Sequence, residues 1–385
     1  MGNRALTPIL RIGALGLGRA FSVMAPTFAR DPRVKVVAGV DPRAEARFRF
    51  ETDFGAKAFD SAEKLFSEPE VDVVYIATPH QFHAANAIAA AKRGKHVLVE
   101  KPMALTLEEC RAMIAAAREA GVQLIVGHSH SFDAPILRTR ALIEGGTLGA
   151  VRMITALNYT DFLYRPRRPE ELDTASGGGV VFNQAAHQVD IVRLLAGAAV
   201  KSVRASTGAW DPARPTEGAY SCQLTFANGV FATLVYSGYA HFDSDEFTGW
   251  IGEMGAKKDP AAYGAARRQL GANELELKSA RNYGGPAFKA PQEAHAHQHF
   301  GLVLVSCERG DIRPLPSGVI IYGDAERRSE DLPPPRVPRA EVIDELHAAI
   351  VEGKSPRHGG ESAMATLEVC LAMLRSAREQ REIAL

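Results

Sequence analysis

Short apolar runs separated by amphipathic stretches fill the first third of the chain. The runs cover residues 9–15, 34–40, 71–77, 96–99 and 122–126, and helical periodicity lies between them, as at 84–93 and 107–120. Apolar strands that alternate with helices are typical of βαβ units, whose parallel strands are buried on both faces. We therefore predict a first α/β domain, over residues 1–127, built on a parallel sheet.

The pattern changes after about residue 130, where strand-like segments follow one another directly. These segments cover residues 151–159, 200–206, 219–226 and 230–236, and Asn228–Gly229 between the last two is a strong hairpin signal. A helix is predicted at 179–196, and two more near 339–352 and 361–378. We predict a second α/β domain, over residues 128–385, with a large, open, mostly antiparallel sheet.

Two segments show neither the period of two that is typical of strands nor the period of 3.6 that is typical of helices. Residues 252–294 are rich in Gly, Ala, Lys and Arg, and we interpret them as an insertion. Residues 332–338 contain four prolines and are predicted to form an extended connector.

Composition excludes some classes of function. Lys plus Arg and Asp plus Glu number 45 each, and this balance argues against a nucleic-acid partner, which usually requires a basic face. No window approaches the ~18 apolar residues of a membrane-spanning helix. The four cysteines form no CxxC pair, and the N-terminus fits a strand and turn better than a secretory signal. We therefore expect reduced thiols and a cytoplasmic protein without a membrane partner.

A glycine pair follows the first predicted strand. In the sequence IGALGLGRAF, Gly16 permits a tight turn and Gly18 lets the backbone approach a pyrophosphate at the N-terminus of the next helix. Phe21 replaces the third glycine of G-x-G-x-x-G, so a purely structural turn is the alternative. Because the motif lies in a βαβ frame, we predict a Rossmann domain that binds a dinucleotide, with Arg19 among the cofactor-binding residues.

Asp41 ends the second predicted strand, about 25 residues after Gly16. A carboxylate there can accept hydrogen bonds from the adenine ribose hydroxyls, which favours NAD as the cofactor. The alternative is that Asp41 only starts a turn with Pro42. Arg43 could neutralise a 2′-phosphate, so NADP is not excluded.

Two later strands end in residues that suit chemistry. Thr78, Pro79 and His83 lie at or just after a carboxyl strand end, where ligands bind in open α/β sheets, and we expect all three to contact the cofactor. A structural histidine is the alternative for His83. Glu100 and Lys101 follow the next strand and are also expected to contact the cofactor. A partly buried lysine can exchange protons near neutral pH. The alternative there is a Glu–Lys surface pair.

A run of glycines precedes the helix predicted at 179–196. Asn183, His187 and Asp190 recur at i, i+4 and i+7 and so share one face of that helix. Because burying a polar stripe without partners is costly, the stripe either faces a cleft or pairs internally. Histidine transfers protons near neutral pH, which makes His187 a catalytic candidate.

The ordered motifs GLGR, ATPxxxH, EKP and GGGxxxxxxxHxxD resemble those of the Gfo/Idh/MocA oxidoreductases over nearly the whole chain. The resemblance implies hydride transfer to NAD(P), with Lys101 as the catalytic base and His187 assisting. A helical aspartate common in that family is replaced here by Asn183, which cannot act as a base, so proton transfer would depend on Lys101, His187 or both. The resemblance also implies a homodimer or homotetramer.

An arginine-rich loop precedes the glycine run. Arg165, Arg167 and Arg168 lie between two prolines, and arginine binds carboxylates bidentately, so we expect a small, anionic substrate. The alternative is that the arginines pair with the acidic residues among 170–173. The residues assigned to substrate binding are Lys101, His130, Tyr159, Arg165, Asn183 and His187.

Three segments indicate which branch of the family the chain resembles most. Residues 158–174, 177–193 and 299–311 are most similar to the branch of the family that oxidises phthalate cis-4,5-dihydrodiol to 4,5-dihydroxyphthalate. This similarity implies oxidation of a cyclic cis-diol. The alternatives are a polyol or sugar dehydrogenase of the inositol type and an NAD-binding sensor without catalysis.

Three histidines alternate in the sequence HAHQHF. On a strand, His295, His297 and His299 would share one face, which is compatible with metal ligation. Hydride transfer in the family that the chain resembles needs no metal. We therefore predict an exposed or interfacial histidine face and no metal site.

Overall fold

The computed structural model describes residues 8–385 except 128, 240, 272, 292 and 293. Its helices are α1 Arg19–Arg30, α2 Ala44–Phe54, α3 Ala62–Phe66, α4 His83–Lys92, α5 Leu107–Ala120, α6 Ala134–Glu144, α7 Ala186–Ala196, α8 Ala265–Gln269, α9 Glu274–Arg281, α10 Ala340–Val351 and α11 Gly360–Glu379. Its strands are β1 Leu10–Leu15, β2 Val34–Val40, β3 Lys57–Phe59, β4 Val73–Ile76, β5 His96–Val99, β6 Leu124–Val126, β7 Val151–Tyr159, β8 Val200–Gly208, β9 Ala219–Phe226, β10 Phe231–Ser237, β11 Leu302–Cys307, β12 Gly310–Leu315, β13 Gly318–Gly323, β14 Arg327–Asp331 and β15 Ile383–Ala384.

The chain divides into two compact units. Unit 1 comprises Met1–His128, Ser279–Pro291 and Arg336–Met364, and unit 2 comprises Ser129–Lys278, Gln292–Pro335 and Ala365–Leu385. The first boundary lies one residue after the predicted one. The structure differs from two continuous domains because two later segments return to unit 1.

Unit 1 is built on a parallel sheet with the strand order β3-β2-β1-β4-β5-β6. Every residue of β4 is buried, as a strand covered on both faces requires. Thr106 starts α5 with a capping box to Glu109, and Gly121 ends it in the left-handed conformation. The predicted Rossmann sheet is confirmed.

Tyr283 explains why residues 279–291 belong to unit 1. Its ring is buried and packs edge-on against Phe21, with ring centroids 5.1 Å apart. Its carbonyl oxygen accepts a hydrogen bond from Arg43 Nη1 at 3.3 Å. Burial of one such ring contributes on the order of 2 kcal/mol towards holding the segment against the helices.

Contacts to α1 and the residues after it place residues 336–364 in unit 1. Thr27 Oγ1 donates to the carbonyl oxygen of Pro338 at 2.5 Å, and Arg33 pairs with Asp344 at 2.7 Å. The proline-rich connector at 332–338 thus leads into α10.

Unit 2 is built on a nine-stranded sheet with the order β14-β13-β12-β11-β7-β10-β9-β8-β15. Its neighbouring strands are antiparallel except for the parallel pair β7 and β10. The predicted hairpin joins β9 to β10, where Gly229 adopts a φ of 84°. The predicted class, a parallel Rossmann sheet with a second, mostly antiparallel α/β unit, is confirmed.

Helix α7 is fixed to the sheet of unit 2 by a buried glutamine. Gln188 Nε2 donates to the carbonyl oxygen of Val235 at 3.2 Å, and Gln188 Oε1 accepts from Tyr220 Oη at 2.8 Å. These bonds hold the first turn of α7, which also carries His187. Among the helices of the described residues, none combines the length and apolarity needed to cross a bilayer.

Candidate functional site

The glycine turn of unit 1 has the geometry of a pyrophosphate site. Gly16 has a φ of 93°, and a Cβ there would lie 2.7 Å from the carbonyl oxygen of Ala77. A Cβ on Gly18 would meet nothing within 4 Å, and Gly18 begins α1 without a side-chain cap. The turn therefore needs Gly16 for its backbone, while Gly18 leaves space at the helix N-terminus. Arg19 is exposed at the first position of α1, so these residues fit a bound dinucleotide.

Asp41 connects the end of β2 to the glycine turn. Its buried carboxylate accepts a hydrogen bond from the Leu17 N–H at 2.9 Å and one from the Arg43 N–H at 2.9 Å. The Arg43 guanidinium pairs with the same carboxylate at 3.0 Å. Asp41 therefore lies beside the glycine turn, where an acid can bind the adenine ribose. Its bond to the Arg43 N–H also forms a local turn, which was the alternative interpretation of this residue.

His83 joins two loops at one edge of the sheet in unit 1. Its side chain is fully buried, with Nδ1 2.9 Å from the Pro102 carbonyl oxygen and Nε2 2.9 Å from the Thr78 carbonyl oxygen. Burial lowers the pKa of His83, although the two carbonyls act in the opposite direction. These two contacts tie together the loops that carry Thr78 and Lys101.

The EKP segment follows β5 at the same sheet edge. Ile76 of β4 pairs with Val99 of β5, so the segment after each strand emerges beside the other. Glu100 is buried and accepts a hydrogen bond from Tyr75 Oη at 2.7 Å, so a surface pair does not describe it. Lys101 is half-buried, and its peptide bond to Pro102 is cis. The edge thus brings together the glycine turn, the residues after β4, including Pro79, and Lys101.

In unit 2 a π-helical turn, Val181–Ala185, precedes α7. The Glu217 side chain caps the start of this turn, because its Oε1 accepts the Val181 N–H at 3.1 Å. Gly179 has a φ of 77°, and a Cβ there would lie 2.1 Å from the same oxygen. Asn183 Nδ2 donates to the Gly179 carbonyl oxygen at 2.8 Å. The turn is therefore an internally bonded structure, and π-turns frequently occur at functional sites.

The predicted polar stripe divides into separate contacts. His187 is buried, with its ring centroid 4.7 Å from that of His130 and 4.8 Å from that of Phe300. Asp190 accepts hydrogen bonds from Ser131 Oγ and from Thr366 Oγ1. Asn183 and Asp190 thus have internal partners, as in the pairing alternative, while His187 lies in an aromatic cluster.

His130 lies between two carboxylates. Its Nδ1 is 2.7 Å from Asp133 and its Nε2 is 3.4 Å from Glu253. Burial alone would lower the pKa of His130, but the two carboxylates outweigh it and raise that pKa to about 9. His130 is therefore an imidazolium at neutral pH, next to His187. Sequence reasoning missed Glu253, because a contact between residues this far apart leaves no local pattern.

The arginine loop holds its side chains in different ways. Arg168 pairs with Glu170 at 2.7 Å, so the predicted pairing alternative describes this residue. Arg165, 44% exposed, pairs with Asp161 at 2.9 Å and lies 3.8 Å from Glu253. Tyr159 ends β7 close to this loop in sequence, and its N–H donates to a serine hydroxyl, Ser244 Oγ, at 3.0 Å.

The histidine run does not form a strand. Residues 294–301 are irregular and precede β11. His297 Nε2 lies 2.9 Å from the Pro333 carbonyl oxygen and His299 Nε2 lies 2.8 Å from that of Ile251. Both side chains are buried, whereas His295 is exposed, so the three histidines do not form the expected exposed or interfacial face. Within the described residues, no group of three or more His, Cys, Asp or Glu is arranged to hold a metal ion.

A Rossmann sheet with a glycine turn after β1, an acid after β2 and a lysine after β5 defines a class, the NAD-dependent oxidoreductases. The chain belongs to the Gfo/Idh/MocA family of this class. Residues 10–128 match the model described as oxidoreductase family, NAD-binding Rossmann fold, and residues 136–256 match the GFO/IDH/MocA C-terminal domain.

Relatives extend this match over the whole chain. A protein of Comamonas testosteroni named 1-carboxy-3-chloro-3,4-dihydroxycyclohexa-1,5-diene dehydrogenase is 49% identical, over 96% of each chain. A crystal structure of a protein named as a dehydrogenase of Bordetella bronchiseptica RB50 superposes with a TM-score of 0.93 at 42% identity, covering 98% of this chain and 100% of that one. The WlbA dehydrogenase of Bordetella pertussis, solved with NADH and UDP-GlcNAcA, shares the fold with a TM-score of 0.69 at 23% identity, covering 98% of this chain and 99% of its own.

Proposed function

We propose that the protein is an NAD-dependent dehydrogenase of cyclohexadiene cis-diols that carry a ring carboxylate, with phthalate cis-4,5-dihydrodiol as the candidate substrate. The observation that carries the proposal is the 49% identity, over 96% of both chains, with a relative whose name specifies a carboxylated dihydroxycyclohexadiene. By contrast, the relative named myo-inositol 2-dehydrogenase is 29% identical over 50% of this chain.

The reaction removes a hydride from one carbinol carbon and a proton from its hydroxyl group. Bound NAD supplies the hydride acceptor. In this proposal Gly16 and Gly18 hold the pyrophosphate, Asp41 binds the adenine ribose, and Lys101 accepts the hydroxyl proton at Nζ. The remaining hydroxyketone tautomerises to an aromatic catechol, which makes the oxidation direction favourable.

His187 assists the proton transfer in this proposal. His130 pairs with Asp133 and Glu253 and packs edge-on against His187 with ring centroids 4.7 Å apart, which fixes the orientation of the His187 ring. Asn183 stands where the family resemblance implies an aspartate. Because the product becomes aromatic, the substrate hydroxyl is more acidic and needs a weaker base. From the same family resemblance we propose a cytoplasmic homodimer or homotetramer.

The test is NADH formation, followed by ultraviolet absorbance, with phthalate cis-4,5-dihydrodiol, a monocarboxylated dihydrodiol, myo-inositol and glucose. Turnover of the dihydrodiols alone, with the aromatic catechol identified by chromatography, supports the proposal. Turnover of the polyols alone would assign the chain to the polyol dehydrogenases. Tight NADH binding without turnover of any of the four would instead favour a sensor.

A further inference from the structure

Arg167, in unit 2, is a buried cation with few partners. Its side chain is 10% exposed. Nη2 donates to the carbonyl oxygen of Phe162 at 2.5 Å, and Nε is buried without a hydrogen-bond partner among the described residues. The guanidinium carbon lies 3.7 Å from the centroid of the Phe162 ring, which covers one face but accepts no strong hydrogen bond. A guanidinium has five N–H groups, and leaving most of them open in a buried position is costly unless another acceptor is present.

The carboxylates around Arg167 are bound by other cations. Glu171 is 3.9 Å from Arg167 Nη1, but both of its oxygens accept hydrogen bonds from Lys278. Glu274 accepts the Arg167 N–H at 3.0 Å and pairs with the buried Arg214 at 2.8 Å. These five residues comprise three cations and two carboxylates, which leaves one positive charge in excess. Burial lowers the pKa of Arg167 to about 10, against the opposing effect of Glu171, so the residue remains charged at neutral pH.

Arg165, two residues earlier, is different because its charge is already neutralised. Asp161 and Glu253 lie 2.9 Å and 3.8 Å from its guanidinium, and the side chain is 44% exposed. A substrate carboxylate at Arg165 would meet two fixed negative charges. At Arg167 it would meet a surplus of positive charge instead.

Arg167 is also connected to the aromatic cluster around His187. The Phe162 ring covers its guanidinium, and the Phe162 N–H donates to Thr160 Oγ1 at 3.1 Å. Thr160 Oγ1 lies 2.7 Å from Tyr236 Oη, and the Tyr236 ring stacks on that of Phe300 with centroids 6.1 Å apart. Phe300 in turn packs against His187 at 4.8 Å. These contacts connect Arg167, through Phe162 and Tyr236, to the cluster that contains the proposed catalytic histidine.

We propose that Arg167 binds the ring carboxylate of the substrate and sets the preference of the enzyme for carboxylated over neutral ring diols. The inference rests on the proposed function, which requires such a carboxylate. A planar carboxylate matches the edge of a guanidinium, so the open N–H groups of Arg167 would be used as a pair.

The test compares two catechols that differ only in one carboxylate, 3,4-dihydroxybenzoate and catechol. Their binding to the NADH-loaded protein is measured by calorimetry for the wild type, Arg167→Met and the control Arg168→Met. We expect Arg167→Met to weaken 3,4-dihydroxybenzoate binding by about 10- to 100-fold, the effect of one charged hydrogen-bonded pair. Catechol binding should change little in either variant, and Arg168→Met should retain the preference for the carboxylate.

Two outcomes overturn the inference. One is a wild type that binds 3,4-dihydroxybenzoate no more tightly than catechol. The other is an Arg167→Met variant that keeps the wild-type preference.

Thermal unfolding shows whether the variant folds. Arg167→Lys, which keeps the charge but not the planar pair of donors, provides a second variant with an expected intermediate loss of 3,4-dihydroxybenzoate binding. Turnover separates the two proposals. If the protein oxidises dihydrodiols and Arg167→Met keeps the preference for the carboxylate, the proposed function is supported and the inference about Arg167 is overturned. If Arg167 binds the carboxylate but no dihydrodiol is turned over, the carboxylate site is supported and the proposed function is overturned.

Discussion

Arg43 and Asp41 form a two-point ion pair beside the glycine turn, with Nε 3.0 Å from Oδ1 and Nη2 3.2 Å from Oδ2. Because Asp41 also accepts the Leu17 N–H, its carboxylate is fixed in place. The pair engages the arginine that would otherwise attract a 2′-phosphate and presents a carboxylate to that phosphate. The arrangement therefore favours NAD over NADP.

Replacing Asp41 should shift the choice of cofactor. We expect Asp41→Ala to weaken NADH binding by about 10- to 100-fold, since ribose hydrogen bonds to a charged acceptor are lost. NADPH binding should strengthen relative to NADH because Arg43 is released. Fluorescence titration of both nucleotides measures the two affinities without a substrate. Adding Arg43→Ala should remove the gain in NADPH binding, and unchanged NADH affinity in Asp41→Ala would contradict the ribose role.

Removing His83 should destabilise unit 1 and slow turnover together. His83→Ala leaves a buried cavity and frees the carbonyls of Thr78 and Pro102, at a cost of about 2–4 kcal/mol of unfolding free energy. Denaturant unfolding measures that loss, and steady-state kinetics should show the fall mainly in kcat because the Lys101 loop is released. His83→Gln, which can still reach one carbonyl, should recover part of both. Loss of NADH binding with unchanged stability would restore a direct cofactor contact.

The charge on His130 should make stability depend on pH. Its pKa rises on folding from 6.5 to about 9, so its contribution is complete below about pH 6.5 and is lost as the pH rises through about 9. The difference in unfolding free energy between the wild type and His130→Gln should therefore shrink by roughly 3 kcal/mol over this window. Denaturant titrations of both proteins across the window measure it, since the titrations of groups that do not contact His130 cancel in the difference. A difference that stays constant would show that folding does not raise the pKa of His130.

The buried strands could be predicted from the residues alone. The limits of β2 and β7 agree with their apolar patterns, and the turn residues Asn228–Gly229 mark the hairpin between β9 and β10. In these segments the local preference and the tertiary environment agree, because a run of valine and isoleucine is stable only when it is buried. The glycine turn, Asp41 and the residues after β4 and β5 could be placed at one sheet edge for the same reason.

Contacts between distant parts of the chain could not be predicted. The π-turn before α7 has the same apolar spacing as an α-helix, so the separate bonding of Asn183, His187 and Asp190 has no sequence signal. Strands β11 to β14 alternate only weakly and follow a segment without periodicity, so they were not predicted. Nothing in residues 279–291 shows that Tyr283 packs on Phe21. The partner of Arg165, by contrast, lies four residues before it, at Asp161, a spacing that could have been recognised.

Lys101 should be required for turnover but not for cofactor binding. Lys101→Ala removes the proposed proton acceptor, so we expect turnover to fall by about 10²–10⁴-fold, the usual effect of losing a general base. NADH affinity should change little, because the pyrophosphate contacts at the glycine turn remain. Lys92→Ala, which removes an exposed lysine from the end of α4, is the matched control and should turn over normally.

The Lys101→Arg variant separates proton transfer from simple charge. Arginine keeps the positive charge but does not release its proton at accessible pH. If Lys101 is the base, Lys101→Arg should be as slow as Lys101→Ala, and the pH dependence of kcat/KM due to the lysine should disappear. If Lys101 acts only by attracting the substrate oxygen, Lys101→Arg should retain most of the activity while Lys101→Ala loses it. Wild-type turnover in Lys101→Ala would exclude both roles and leave the proton transfer to His187.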